Sequence, residues 1–221
     1  MQAIIQNFFN VPIFLTMLPL LLKGLLLTLQ LVVVVVPLGI AIGLFVATLY
    51  SFHVRWLNAL LIFFVDLLRS FPPLVLVILI YFGLPFLGVN LPAFFAASLA
   101  LFLNGSAYYG EIFRAGIESI PKGQWEAARS TGLTMPQTLA FVVLPQAVRN
   151  VIPPLATNTL ELIKATSIAS VVAFPELLRS ARIAQGLVYN PTPLMAAALI
   201  YFILLWPVVR VLSRLERQMI N

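Results

Sequence analysis

Five long apolar stretches separated by short polar segments dominate this chain. They run roughly from Leu20 to Leu49, Trp56 to Leu84, Pro92 to Ile117, Leu144 to Val172 and Pro193 to Leu212. A helix needs ~20 mostly apolar residues to cross the hydrocarbon of a bilayer, and each stretch supplies that length. Charged residues make up only 9% of the 221, where a soluble domain carries about 25%. Lipid is therefore the expected solvent. The expected fold is an all-α membrane protein of five transmembrane helices forming a single domain over residues 1–221.

The spans leave no room for a separate soluble domain. No GxxxxGK[ST] phosphate loop occurs, so nucleotide binding by this chain is not expected, and nothing in it reads as catalytic. The absence of cysteine excludes disulfides and thiolate metal sites. The one histidine, His53, cannot make a metal cluster alone. The first apolar stretch is too long for a cleaved signal peptide and reads as retained. Residues Met1–Pro19 are amphipathic and are expected to lie along the interface. Pro37, Pro72, Pro73, Pro153 and Pro154 fall inside spans, where neighbouring helices can satisfy freed carbonyls, and mark expected bends.

The net charge of +6 is not a nucleic-acid footprint, because basic residues of membrane proteins collect on the cytoplasmic side. With five spans, Arg55, Arg114, Lys122, Arg129, Arg210, Arg214 and Arg217 fall on one side, against Lys23, Arg179 and Arg182 on the other. That bias places the amino terminus outside and the carboxyl terminus in the cytoplasm. Residues 174–193 then form an external loop, with a short amphipathic helix over Glu176 to Gly186.

Between the third and fourth spans, residues 118–140 turn polar and rich in small side chains. Pro121 suits the first turn of a helix, Gln124 to Thr131 reads as that helix, and Gly132 is placed to end it. Thr134 or Met135-Pro136 can open the next. Ala127 and Ala128 offer a small face for close approach, with Glu126 and Arg129 on its rim. Residue types alone leave two readings open: a lever that docks on a soluble partner, or an inert solvated hairpin.

Residues Glu126 to Pro145 resemble the signature loop of ABC importer permeases: Glu-Ala-Ala, three residues, Gly, nine residues, then apolar-x-Leu-Pro. Gly132, Val142, Leu144 and Pro145 stand at the matching positions. The stretch Ala107-Tyr108-Tyr109-Gly110-Glu111-Ile112-Phe113-Arg114-Ala115-Gly116-Ile117 is similar to the polar amino-acid branch, whose members include histidine, glutamine and arginine permeases. So are Pro121-Lys122-Gly123-Gln124, Leu144-Pro145-Gln146-Ala147, Lys164-Ala165-Thr166-Ser167 and the Arg69-Ser70-Phe71-Pro72 turn. Ala165 departs from the pattern, where an acidic residue is frequent.

The resemblance implies the type I ABC importer permease architecture in a bacterial plasma (inner) membrane. It implies a second permease chain, identical or homologous, and a pair of cytoplasmic ATP-binding subunits. It also implies an extracytoplasmic amino-acid-binding protein. ATP and magnesium would be bound by the partner ATPase, with no cofactor in this chain. The ATPase-coupling residues would be Gln124, Glu126, Ala127, Ala128, Arg129 and Gly132.

Ionisable residues inside a span are functional candidates by default. Asp66 with Arg69 and Glu111 with Arg114 sit three apart and can pair on one helix face. Glu161, ~25 Å along the fourth span from Leu144 at 1.5 Å per residue, shares a polar stripe with Asn158 and Thr157, and Lys164 can pair with it. Asn104 and Tyr108 share a face of the third span. These six are the candidate substrate path, although a helix–helix hydrogen bond serves equally for Asn104. The alternative function is a secondary carrier or channel using the intramembrane carboxylates as an ion relay. That reading leaves residues 118–140 without a reason.

Overall fold

The computed structural model describes residues 7–52 and 54–220, with side chains through Arg214. His53 and Met1–Gln6 lie outside the described residues, as does the side chain of Arg217. Among the described residues every regular element is helical. Helix α1 runs Val11–Tyr50 and α2 Arg55–Ser70. Helix α3, Pro73–Ile78, continues through a π turn, Leu79–Gly83, and a 3-10 turn, Leu84–Leu87. Helix α4 is Ala93–Glu118 and α5 is Lys122–Ser130. Helix α6, Met135–Thr138, passes through a π turn, Leu139–Val143, into α7, Leu144–Ala165, which ends in a 3-10 turn, Thr166–Val172. Helices α8, Leu177–Val188, and α9, Thr192–Ile220, complete the chain.

Three stretches are long and apolar enough to cross a membrane: Val11–Tyr50, Met135–Val172 and Thr192–Arg214. The broken pair Arg55–Ser70 and Pro73–Leu87 makes a fourth if taken as one span. Helix α4 has 26 residues, but Asn104, Ser106, Tyr108 and Tyr109 dilute its hydropathy, so length and composition alone do not mark it as a fifth.

One expectation needs correction. Val11 to Pro19 is not a separate interfacial segment but the first turns of α1. Pro37 stands inside α1, and Pro153 and Pro154 inside α7, as expected of prolines within spans. The helix expected to open at Thr134 or Met135-Pro136 does so at Met135, ahead of the apolar stretch that begins at Leu144. The break at Phe71-Pro72-Pro73 does form. A proline forces the residue before it out of the helical region, and here two in succession act on Phe71 and Pro72, whose ψ angles are 128° and 135°.

The chain divides into two compact units. The first joins Met1–Val36, Pro72–Phe102 and Leu160–Arg210. Its core gathers Leu21 of α1, Leu177 and Ala181 of α8, and Ala196 and Ala197 of α9, with Phe14, Leu25, Ile200 and Tyr201 packed around them. The second joins Pro37–Phe71, Leu103–Thr159 and Val211–Asn221. There α1 and α4 meet through glycine: Gly110 presents its Cα hydrogens to Gly43, whose carbonyl would be 3.5 Å from a Cβ at position 110. Small residues at such crossings let backbones approach where lipid offers no hydrophobic drive.

Candidate functional site

The polar segment folds as a short helix clamped between α4 and α7. Helix α5 starts one residue past Pro121, whose ψ of 140° makes it the cap and not the first helical residue. Trp125 and buried Ala128 lie three apart and face inward. Trp125 packs with Leu139 and Leu144 on a core of Ile117, Ile120, Val143 and Ala147. Two polar braces hold its amino-terminal side. Gln146 Nε2 donates to Gln124 Oε1 at 3.3 Å, and Asn150 Nδ2 donates to Ser119 Oγ at 2.8 Å. Gln146 Nε2 also reaches back to Val142 O at 2.8 Å, serving a carbonyl of the wide π turn that precedes Pro145.

The stop is built as the residue types require. Thr131 N and Oγ1 donate to Ala128 O, and Gly132 N donates to Arg129 O. Gly132 then takes φ +89°, a region L side chains enter only with strain. Arg129 Nη1 folds over the turn to Leu133 O at 2.5 Å. The next helix opens at Thr134, whose N–H donates to Gln137 Oε1 at 2.8 Å, half of a capping box.

This geometry revises which face is free. Ala128 belongs to the inward side, so the small face is not the Ala127-Ala128 pair. The outward residues are Gly123, Gln124, Glu126 and Ala127, and a Cβ at Gly123 would meet nothing within 4 Å. Arg129, assigned to the rim, is engaged by its own loop. Residue types did not single out Trp125 as the anchor. The signal was there in its spacing from Ala128.

Next to the loop, Arg114 holds Glu111 with a two-pronged contact: Nε to Oε2 at 2.8 Å and Nη2 to Oε1 at 2.5 Å. Its Nη1 reaches Glu118 Oε2 at 2.7 Å, and its guanidinium lies over the Tyr50 ring. The expected Asp66–Arg69 pair is not among the ion pairs of the described residues. Arg69 instead approaches Glu111 at 3.9 Å and sits over Tyr108, 5.3 Å from the ring centre. The long Arg69 side chain reaches across to Glu111, which Arg114 also holds. Replacing Glu111 with alanine should destabilise the second unit by ~1–2 kcal/mol, because it strands a charge-assisted fork. Glu118→Ala, at a side chain 51% exposed against 31% for Glu111, should change thermal stability within error. Equal losses would contradict this ranking.

The six candidate path residues fall into separate settings. In the second unit, Asn104 is buried and donates to Leu68 O at 2.9 Å and Phe71 O at 3.4 Å. It caps the end of α2 that the Pro72 break exposes, so its amide is already engaged. Tyr108 carries Arg69. Asn158 lies beside Tyr109, whose hydroxyl meets Thr159 Oγ1 at 2.8 Å, and Asn158 Nδ2 is buried without a protein partner. Thr157 is exposed on the same helix. In the first unit, Lys164 Nζ donates to Glu161 Oε1, and both side chains are exposed.

Long apolar helices hold a short polar helix between α4 and α7, packed on Ile117, Ile120, Val143 and Ala147. The comparisons supply the class, a membrane subunit of a multi-component transporter. The chain belongs to the binding-protein-dependent transport system inner membrane components, whose family model matches residues 39–221. It is 38% identical over 198 residues to the probable amino-acid ABC transporter permease protein YckA of Bacillus subtilis, covering 89% of this chain and 88% of that one. It is 34% identical to the arginine transport system permease protein ArtQ of Bacillus subtilis, covering 91% and 93%. A crystal structure of an amino acid ABC transporter with histidines shares the fold at TM-score 0.85 and 38% identity, over 93% of this chain and 98% of that one. An inward-facing MetNI methionine ABC transporter shares the fold at TM-score 0.76 and 23% identity, over 92% and 98%.

Proposed function

We propose that this chain is the permease through which a polar amino acid enters the cytoplasm, driven by ATP hydrolysis in a separate subunit pair. The clamped helix α5 carries this reading. It is short, braced at its amino-terminal side by Gln146 and Asn150 and closed by Gly132, with its outward face of Gly123, Gln124, Glu126 and Ala127 open to a partner. Two permease chains, identical or homologous, would enclose the path. Five spans, an external amino terminus and a cytoplasmic carboxyl terminus put α5 on the ATPase side, and the arginine and lysine bias supports that orientation.

Closure of the ATPase pair on ATP would push α5. Trp125 and the Gln124–Gln146 and Ser119–Asn150 braces would pass the push to α4 and α7. The spans would rock outward, receive substrate from the binding protein, and return on hydrolysis. The names of the relatives support an amino-acid substrate. Glu161, Lys164, Asn158, Thr157 and Tyr108 are the groups proposed for its path, with Asn104 in the reduced role of holding the α2 break.

Vesicles reconstituted with the permease, its ATPase and its binding protein test the mechanism. Uptake of labelled amino acid should require ATP inside the ATPase compartment and vanish with a hydrolysis-dead ATPase. Persistent concentrative uptake with that ATPase, driven by an ion gradient, would return the chain to the carrier class.

A further inference from the structure

We infer that the exposed face of α8 and the turn after it, Arg182, Leu187 and Tyr189, is a docking surface for an acidic rim on the extracytoplasmic binding protein. This rests on the importer reading, in which residues 174–193 face the outside.

Helix α8 is fixed in place from behind. Glu176 is fully buried and caps it, accepting from Leu178 N and Arg179 N at 2.7 Å each and from Tyr201 Oη at 3.0 Å. Leu177 N donates to Thr28 Oγ1 at 3.1 Å. Gly24 brings α1 so close that a Cβ there would lie 2.5 Å from Ser180 Oγ and 3.0 Å from Leu177 Cα. Leu177, Ser180, Ala181 and Ala184 fill the inward face. The opposite face is therefore presented rigidly, which lowers the ordering cost of any contact made on it.

That opposite face is Arg182, Ile183, Gly186 and Leu187, all exposed, Leu187 by 66%. Gly186 has nothing within 4 Å of a Cβ position, although glycine inside a helix is ~1 kcal/mol worse than alanine. Packing within this chain gives it no reason, whereas a second backbone approaching from outside would. Tyr189 ends the helix at φ 49°, ψ 37°, a left-handed position where glycine is the default. A tyrosine is held there 93% exposed. Backbone strain retained under an exposed aromatic points to a use for that side chain.

Charge selects the partner's chemistry. Arg179 Nη1 turns inward to Ser170 O at 3.2 Å. Arg182 faces out, whereas Glu176, the carboxyl its charge reaches, is buried behind the helix. Glu176 is the one acid in residues 174–193 and it is buried, so the charge exposed on this face is that of Arg182. Tyrosine and arginine are the residue types that dominate binding hot spots. The family description names a binding protein as the component on which transport depends.

The chain has no cysteine, so Tyr189→Cys supplies a single thiol for an environment-sensitive fluorophore. The binding protein to use is the one that stimulates ATP hydrolysis by the wild-type complex in vesicles. Its addition should shift the label's emission, and brominated lipid should not quench it. Arg182→Glu should raise the half-saturating binding-protein concentration ~tenfold, with the maximal stimulated rate unchanged, and the gap should narrow in high salt. A label quenched by brominated lipid and indifferent to the binding protein would place this face on the membrane and overturn the inference. So would an unchanged half-saturation in Arg182→Glu. A wild-type complex that no binding protein stimulates would overturn both this inference and the importer reading.

Discussion

Gly132→Val should reduce ATP-driven uptake about tenfold or more, while the complex still assembles and still hydrolyses ATP. A Cβ at this position touches nothing within 4 Å, so the substitution creates no clash. Its whole effect acts through the backbone. At φ +89° an L residue loses ~1–2 kcal/mol, and a β-branched one is the least able to stay. The loop relieves that strain by leaving the left-handed region, which breaks the Gly132 N to Arg129 O closure and frees Thr134 from its register with Gln137. Helix α5 then keeps its Trp125 anchor but loses the fixed angle at which it meets the ATPase. Gly132→Asn is the control, because asparagine enters the left-handed region more readily than other side chains. It should recover most of the uptake. Transport measured against ATP hydrolysis in vesicles distinguishes uncoupling from misfolding. Equal, near-normal uptake in both variants would mean that the loop is not the lever.

Local rules found this site where the chain's chemistry is local. Gly132 is explained by a helix that must stop, Thr134 by one that must start, and the Phe71-Pro72-Pro73 break by the steric effect of proline on its predecessor. Each depends on residues within four positions of one another. The misreadings share another cause. Asp66 and Arg69 have helical spacing for a pair, but the outcome depends on Glu111, forty-two residues from Arg69 along the chain, which competes for the same guanidinium. Asn104 reads equally as a path amide or a helix–helix hydrogen bond, and only the end of α2 beside it, with two carbonyls to satisfy, decides for the second. Ala127 and Ala128 look equivalent in sequence, and only the core under Trp125 decides that Ala128 turns inward. Pro37, Pro153 and Pro154 stand inside continuous helices, whereas Pro72 and Pro73 break one. Adjacent prolines occur in both settings, so the dipeptide alone does not separate a tolerated proline from a breaking one. The difference lies in the long helix that embeds the first three.

Gly43→Ala should be the most damaging small substitution in the second unit, although it adds one methyl group. The added Cβ would stand 2.6 Å from Tyr109 Cβ, 2.7 Å from Gly110 N and 2.9 Å from Ser106 O. Two of these three are backbone atoms of α4, which cannot rotate away as a flexible side chain can. Relief requires α1 and α4 to separate along the crossing. That movement would disturb buried Tyr109 and its contact with Thr159 Oγ1, and with it the side of α4 that leads down to Glu111 and Arg114. Overpacking of this kind costs ~1–3 kcal/mol and sometimes more. The expected result is a sharp fall in the yield of folded protein and in its unfolding temperature. Gly110→Ala is the informative partner variant. It sits at the same crossing, but its nearest approaches are 3.5 Å to Gly43 O and to Val46 Cγ1, which is ordinary contact. It should be tolerated, with thermal stability close to the parent. If both variants lost stability alike, helix propensity or lipid exposure would explain the result better than the close approach at Gly43. If both were neutral, the α1–α4 crossing would have to open at little cost, and the close approach at Gly43 would not be what holds the two helices together.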